Sequence, residues 1–148
     1  MEIAYQDLLI EISNLKRLNK TIALCHGCFD ILHKGHINLF KKAKDAAEIT
    51  IVGLESDEYI KNKKGSNGPK FNYKKRLENI LSLNLVNYIF PIPYHKEYIY
   101  KRIYRDIKPN ILLTGNDEVL GIKTADASPL GIKIIITERL DSSSNYIK

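Results

Sequence analysis

The stretch TIALCHGCFDILHKGH, residues 21–36, decides the fold that this sequence predicts. It begins with a short apolar run, TIAL, that is typical of a buried strand, and Gly27 ends that strand. A second glycine, Gly35, lies between His33 and His36, directly before apolar residues at helical spacing. Backbone N–H groups and imidazoles at the N-terminus of a helix favour phosphate, and Gly35 lets the backbone approach a ligand closely. The stretch therefore predicts a strand, a phosphate-binding loop and a helix.

Strands and helices alternate along the rest of the chain. The expected strands are 21–24, 49–54, 88–92, 111–114 and 132–137, and the expected helices lie within 1–20, from 36 to 47, around 77–81 and at 96–105. This alternation predicts an α/β fold, a Rossmann-like doubly wound parallel sheet of about five strands with helices on both faces. Ligands of such sheets lie beyond the carboxyl ends of the strands. The loops to search follow Leu24, Leu54, Ile92, Thr114 and Thr137.

Length and composition point to one domain. The chain has 148 residues and 17.0 kDa, and its 44% apolar and 27% charged residues are close to the averages of globular proteins. We expect a single domain over 1–148, with an opening helix at 1–20 and the core at 21–148. Only two cysteines are present, and we find neither a secretory signal nor an apolar run long enough for a membrane span. A cytoplasmic location without membrane contact is expected.

The positive charge is concentrated in one segment. The net charge is +6, and residues 61–76 hold seven cations and no acidic residue. Because the rest of the chain is close to neutral, this basic segment indicates a compact polyanion, such as a nucleoside triphosphate, as readily as a nucleic acid. A solvated loop that only keeps the protein soluble is one alternative. Tyrosines and cations between 94 and 105 leave an RNA-binding module open as another, against a helix with one packed face.

The stretch GCFDILHKGH resembles the signature of the HxGH nucleotidyltransferase superfamily, whose domains are cytidylyltransferase-like. Within it, the chain is most similar to the bacterial heptose-1-phosphate adenylyltransferases, with glycerol-3-phosphate cytidylyltransferases as close relatives. The similarity covers most of the chain, because further segments fall in the family's order. These segments are GLESD at 53–57, the spacing from Lys64-Gly65 through Pro69 to Arg76, Lys108-Pro109-Asn110, Gly115-Asn116-Asp117 and Ser142-Ser143-Ser144-Asn145.

The resemblance implies roles for the matching residues. His33 and His36 correspond to two phosphate-contacting histidines, and Arg76 to an arginine that contacts the triphosphate. Lys63 or Lys64 corresponds to a mobile-loop lysine that stabilises the transition state. The candidates for nucleotide binding are Gly27, Cys28, Phe29, Asp30, Gly35, Gly115, Asp117, Ser142, Ser143 and Ser144. No metal-binding residue is expected.

The implied reaction is attack by a sugar-phosphate oxygen on the α-phosphorus of a nucleoside triphosphate, with pyrophosphate leaving. The resemblance implies ATP and heptose 1-phosphate as substrates, Mg²⁺ bound mainly through the triphosphate, a homodimer, and a role in carbohydrate metabolism as a source of a lipopolysaccharide precursor. No nucleic acid or membrane partner is expected. A CTP-dependent enzyme acting on glycerol 3-phosphate or a similar alditol phosphate is the alternative.

The chain departs from the family's pattern at three places. Cys25-His26 stands where Thr-Asn is common, Thr114 where heptose enzymes commonly have lysine, and Gly68 where arginine is usual. These changes bear on the identity of the substrate more than on the type of reaction. Other interpretations are a zinc or redox site at Cys25, Cys28 and the two histidines, an Asx turn at Asp30, and a helix cap at 142–144.

Overall fold

A parallel five-stranded sheet forms the centre of the protein, in the strand order β3-β2-β1-β4-β5. The computed structural model describes residues 1–65, 67–117 and 119–137. The strands are β1 (Ile22–Gly27), β2 (Ile49–Leu54), β3 (Tyr88–Pro91), β4 (Ile111–Gly115) and β5 (Lys133–Thr137). The predicted doubly wound sheet is confirmed.

Helices cover both faces of this sheet. They are α1 (Tyr5–Arg17), α2 (Lys34–Ala46), α3 (Asp57–Lys64), α4 (Tyr73–Leu81), α5 (Tyr100–Ile107) and α6 (Leu120–Ala127), and a 3-10 turn, Ser128–Leu130, follows α6. Within the described ranges, no helix has the length and apolarity that crossing a bilayer requires.

Successive side chains of each strand point to opposite faces of the sheet and pack into two core layers. In β1, Ile22 and Leu24 pack with α1 and α5, whereas Ala23 and Cys25 pack with α2 on the opposite face. Such a largely apolar strand is typical of a parallel sheet that is buried on both sides. The predicted opening helix is confirmed, since its apolar stripe is buried against the sheet.

Helices α3 and α6 were not predicted from the sequence, because neither has an apolar stripe. The residues that α6 buries are Lys123 and Ala127, and α3 buries Ile60. A side-chain cap starts α3, where Ser56 Oγ accepts the Tyr59 N–H at 3.1 Å. Helix α5 begins at Tyr100, later than the predicted residue 96.

The strand order reverses between β1 and β4, which places a crevice at their carboxyl ends. Register keeps neighbouring strand ends level, because Gly27 pairs with Leu54 and Gly115 pairs with Thr137. The loops that follow β1, β2, β3 and β4 therefore meet at this edge of the sheet.

Candidate active site

The start of α2 holds the two predicted histidines in a fixed arrangement. His33 is the N-cap residue, and its Nδ1 accepts the Gly35 N–H at 3.0 Å. A Cβ at Gly35 would lie 2.9 Å from Cε1 of His33, so a glycine is what allows this ring position. With Nδ1 accepting, the neutral ring carries its proton on Nε2 as a donor. The loop from Gly27 to His36 is called the phosphate loop below.

The two imidazoles stack on each other at the mouth of this loop. Their ring centroids are 3.8 Å apart with an interplanar angle of 22°. Burial lowers the pKa of both rings, and the His33 ring adds to the effect at His36, whose pKa falls to about 4. Nδ1 of His36 is buried and has no hydrogen-bond partner among the described residues. An anion placed against this pair would stabilise the protonated rings and raise their pKa values.

Phe29 shapes the loop between β1 and the histidines. Its backbone is left-handed, with φ of 46°, and its side chain is buried. The ring meets His36 edge-on at 5.3 Å between centroids, and a Cβ at Gly27 would lie only 3.3 Å from it. A strained aromatic residue and a glycine at a predicted binding loop fit a loop built for a ligand.

Asp30 joins the basic segment to the phosphate loop. Its carboxylate accepts the backbone N–H groups of Lys70 at 2.8 Å and Phe71 at 2.9 Å. This contact spans forty residues of sequence, so Asp30 does more than close a local Asx turn. Residues 70–71 of the basic segment are therefore attached to the phosphate loop.

Arg76 also links the basic segment to the phosphate loop. Its side chain is fully buried, and its guanidinium donates to the backbone carbonyls of Phe71 (3.0 Å), Cys28 (2.9 Å) and Glu55 (2.8 Å). It also pairs with Asp57 at 2.7 Å. The guanidinium thus binds protein acceptors in three loops and holds those loops together. The triphosphate contact implied by the resemblance stays a prediction for Arg76.

The two candidate lysines lie on α3. Lys63 is exposed, and its Nζ lies 5.7 Å from the centre of the Tyr59 ring. The side chain of Lys64 lies outside the described part of the chain. The choice between the two lysines therefore stays open.

The loop after β4 is organised by a lysine that sequence reasoning missed. Lys123 of α6 is buried, and its Nζ donates to Thr114 Oγ1 at 2.9 Å and to Asp117 Oδ2 at 2.8 Å. Asp117 Oδ1 accepts the Val119 N–H at 3.0 Å. Asp117 thus shapes the loop that begins at Gly115. Contact of Gly115 or Asp117 with a nucleotide stays a prediction.

Several alternative interpretations lose support in the structure. Cys25 is fully buried and burial raises its pKa to about 12, so it is a neutral thiol rather than the thiolate that zinc or redox chemistry needs. The described residues contain no group of three potential metal ligands. Tyr100 and Tyr104 are buried in the core, which removes them as stacking platforms for RNA. Residues 142–144 lie outside the described residues.

Sequence reasoning also missed a buried carboxylate, Glu55, directly after β2. It is 1% exposed and contacts His95 and Tyr100. The signal available in the sequence was its position at the carboxyl end of a strand, where a crevice residue is expected.

Comparison with known proteins shows similarity to one family along most of the chain. The family model described as cytidylyltransferase-like matches residues 24–144. The chain is 31% identical to a protein of Desulfatibacillum aliphaticivorans named bifunctional protein HldE, over 147 residues that make up 96% of this chain and 29% of the relative. A Helicobacter pylori J99 protein of the same name is 37% identical over 123 residues, 80% of this chain and 26% of the relative. The chain thus spans less than a third of these relatives' length.

Solved structures share the fold. A lipopolysaccharide core biosynthesis protein from Thermoplasma volcanium has a TM-score of 0.63 and 25% identity, covering 82% of this chain and 98% of its own. Pantoate-beta-alanine ligase from Francisella tularensis, solved with an ATP analogue and beta-alanine, has a TM-score of 0.68 and 18% identity, covering 100% of this chain and 70% of its own. The second likeness concerns the fold alone.

Proposed function

The chain belongs to the cytidylyltransferase-like family of nucleotidyltransferases, and we propose that it transfers the nucleotidyl group of ATP to a sugar phosphate and releases pyrophosphate. Heptose 1-phosphate is the acceptor we propose. Support for a sugar phosphate comes from the HldE relatives and from the structural neighbour described as a lipopolysaccharide core biosynthesis protein. The homodimer, the cytoplasmic location and the precursor role remain proposals.

The observation that carries the proposal is the docking of the basic segment on the phosphate loop. Asp30 holds the backbone at 70–71 and Arg76 holds the carbonyl of Cys28, so this part of the basic segment is attached to the loop that bears the stacked imidazoles. A triphosphate and an acceptor phosphate repel each other, and cations beside both reduce that repulsion. The N-terminus of α2 adds its dipole to the same place.

The chemistry asks little of the protein beyond alignment and charge stabilisation. An ionised oxygen of the acceptor phosphate attacks the α-phosphorus, a new P–O bond forms, and the bond to the β-phosphate oxygen breaks with its electron pair leaving on pyrophosphate. No side chain needs to act as nucleophile or base, because the attacking oxygen is already an anion. Holding two anions in line can supply roughly 7–11 kcal/mol of the barrier.

His33 and His36 are assigned to the charge that develops on the triphosphate. Nε2–H of His33 is a donor in the neutral ring, and His36 becomes a donor at Nδ1 once an anion raises its pKa. The candidates for the transition-state lysine are Lys63 and Lys64 on α3, and Lys63 is the one whose side chain the structure describes.

Mg²⁺ is proposed to arrive with the triphosphate. Three carboxylates at the crevice, Asp30, Asp57 and Asp117, already bind protein donors. The described residues therefore offer no ready protein site for the ion, and phosphate oxygens and water are its expected ligands. No protein residue is assigned to Mg²⁺.

Pyrophosphate release tests the proposal. The purified protein is given ATP or CTP with a heptose or hexose 1-phosphate or with glycerol 3-phosphate, and we expect release with ATP and a sugar 1-phosphate. His33→Asn and His36→Asn should each lower kcat by about 100-fold or more, whereas Lys34→Gln, an exposed neighbour of both, should not. If no combination releases pyrophosphate, and the histidine variants bind nucleotide as well as the parent does, the proposed function is wrong. Release only with CTP and glycerol 3-phosphate would establish the alternative activity.

A further inference from the structure

A cluster of polar and aromatic side chains lies beside the phosphate loop at the carboxyl ends of β1, β2 and β3. Its members are His26, Glu55, Tyr59, His95 and Tyr100, and it is called the carboxylate cluster below. The phosphoryl-transfer steps use none of these side chains.

The carboxylate cluster is attached directly to the phosphate loop. The Glu55 N–H donates to the carbonyl of Gly27 at 3.0 Å, and the Glu55 carbonyl accepts from Arg76, which also holds Cys28. The Tyr59 ring also lies 5.7 Å from Nζ of Lys63, the candidate lysine on the same helix. A molecule that reacts at the phosphate loop therefore has this cluster as a neighbour.

Glu55 is a charged group in a place where burial of charge is costly. It is 1% exposed, and its carboxylate accepts from His95 Nε2 at 3.1 Å and from the hydroxyl of Tyr100. Burial and the Glu55 charge raise the pKa of Tyr100, so this phenol stays protonated and donates. A carboxylate has about four acceptor positions, so these two donors leave it able to accept further hydrogen bonds.

His95 pairs with the Glu55 carboxylate. Its Nδ1 lies 2.9 Å from the carbonyl oxygen of Glu97, and its Nε2 faces the Glu55 carboxylate. The ring is therefore held between the Glu97 carbonyl oxygen and the Glu55 carboxylate. Glu55 and His95 are thus partners of each other, and neither is left as an unpaired group for a charged ligand end.

Aromatic faces surround this pair. Tyr59 stacks on His95 with centroids 4.5 Å apart, and His26 stacks on Tyr100 at 4.2 Å. Burial lowers the pKa of His26 to about 3, so that ring is neutral. Tyr59 is partly exposed and the His95 side chain is 9% exposed, so these two rings lie between the carboxylate and the protein surface.

We infer that the carboxylate cluster is the subsite for the end of the acceptor that is remote from its phosphate, and that it selects an uncharged end bearing hydroxyl groups. Hydroxyls donate to the Glu55 carboxylate, carbon–hydrogen faces pack on the partly exposed Tyr59 ring, and a charged end would lose its hydration beside a carboxylate that is already paired with His95. This inference rests on the proposed function, because it assumes that an acceptor phosphate reacts at the phosphate loop.

Separate Michaelis constants for the two substrates test the inference. Glu55→Gln keeps the side-chain volume but removes the charge, and we expect the KM for the sugar 1-phosphate to rise by at least about tenfold while the KM for ATP changes less than about twofold. Glu58→Gln, the same chemical change at an exposed residue, is the matched control and should alter neither constant. If Glu55→Gln does not fold, His95→Gln carries the test, with the same expected increase.

Acceptors with different remote ends complete the experiment. The unchanged protein should prefer a sugar 1-phosphate over phosphoethanolamine, which ends in an ammonium group, and over a sugar bisphosphate, which carries a second anion. An unchanged acceptor KM in both variants, or equal use of the bisphosphate, would overturn the inference while pyrophosphate release still upheld the proposed function. If the unchanged protein releases no pyrophosphate with any acceptor, the proposed function fails, and the inference fails with it.

Discussion

Replacing Arg76 by methionine should cost more stability than replacing any exposed cation of the basic segment. Methionine fills similar space but removes four hydrogen bonds, to the carbonyls of Phe71, Cys28 and Glu55 and to the Asp57 carboxylate. These acceptors belong to separate loops, so the substitution detaches the loops from one another as well as from the arginine.

The size of the effect follows from how far water can reach each lost partner. The bond to the Glu55 carbonyl is fully buried, and leaving that oxygen unpaired costs about 1–3 kcal/mol. The carbonyls of Phe71 and Cys28 are only part-buried, so each adds less. Asp57 is 46% exposed, which limits the ion pair to about 1 kcal/mol or less. The total loss should be about 3–5 kcal/mol, mainly from the carbonyl oxygens that are left without a donor.

Urea unfolding measures this loss directly. Arg76→Lys should fall between the unchanged protein and Arg76→Met, because an ammonium keeps the charge but cannot reach acceptors in several directions at once. Lys75→Met, at the exposed neighbouring position, should change the free energy of unfolding by less than about 0.5 kcal/mol. A loss below about 1 kcal/mol for Arg76→Met, or an equal loss for Lys75→Met, would show that this guanidinium does not hold the loops together.

Three further substitutions test the phosphate loop. In Gly35→Ala the new Cβ displaces the His33 ring, so kcat should fall about 100-fold, whereas Gly121→Ala meets open space and should leave kcat unchanged; equal rates for the two variants would contradict this account. Because the pKa of His36 is about 4 in the free protein and rises beside an anion, ATP binding should take up a proton and strengthen from about pH 7 to about pH 5 relative to His36→Asn; identical proton uptake by calorimetry would show that His36 does not titrate on binding. Asp30→Ala should speed hydrogen exchange at least about tenfold at the two backbone amides that Asp30 binds, and unchanged exchange there would refute the docking of the basic segment.

The sequence predicted the structure well where a residue pattern is compatible with only one local structure. An apolar run, a glycine and a histidine-flanked glycine before helical periodicity allowed little besides the observed β1, phosphate loop and α2. The inner strands were predictable for a similar reason, because strands buried on both faces are mostly apolar.

The two missed helices show where pattern reading fails. Helix α6 turns a lysine inward, since Lys123 finds Thr114 and Asp117 at the end of β4. Periodicity counts such a residue as polar and exposed, because only the fold supplies its partners. Helix α3 likewise depends on a cap and on Ile60 rather than on an apolar stripe.

The candidate site divides along the same line. Local spacing was sufficient to place His33 and His36, because both lie within four residues of one helix start. It could not reveal the partners of Arg76 or Glu55, which are backbone carbonyls and side chains from distant loops. Long-range partners of this kind depend on the topology of the whole sheet.

The shared attachment of Cys28 and Glu55 to one buried guanidinium has a consequence for protein engineering. A designer who exchanges the segment after β2 to test the proposed acceptor subsite also alters one of the anchors that hold the phosphate loop. An exchange of this segment should therefore change specificity and turnover together. A successful graft would transfer both loops and residue 76 at the same time.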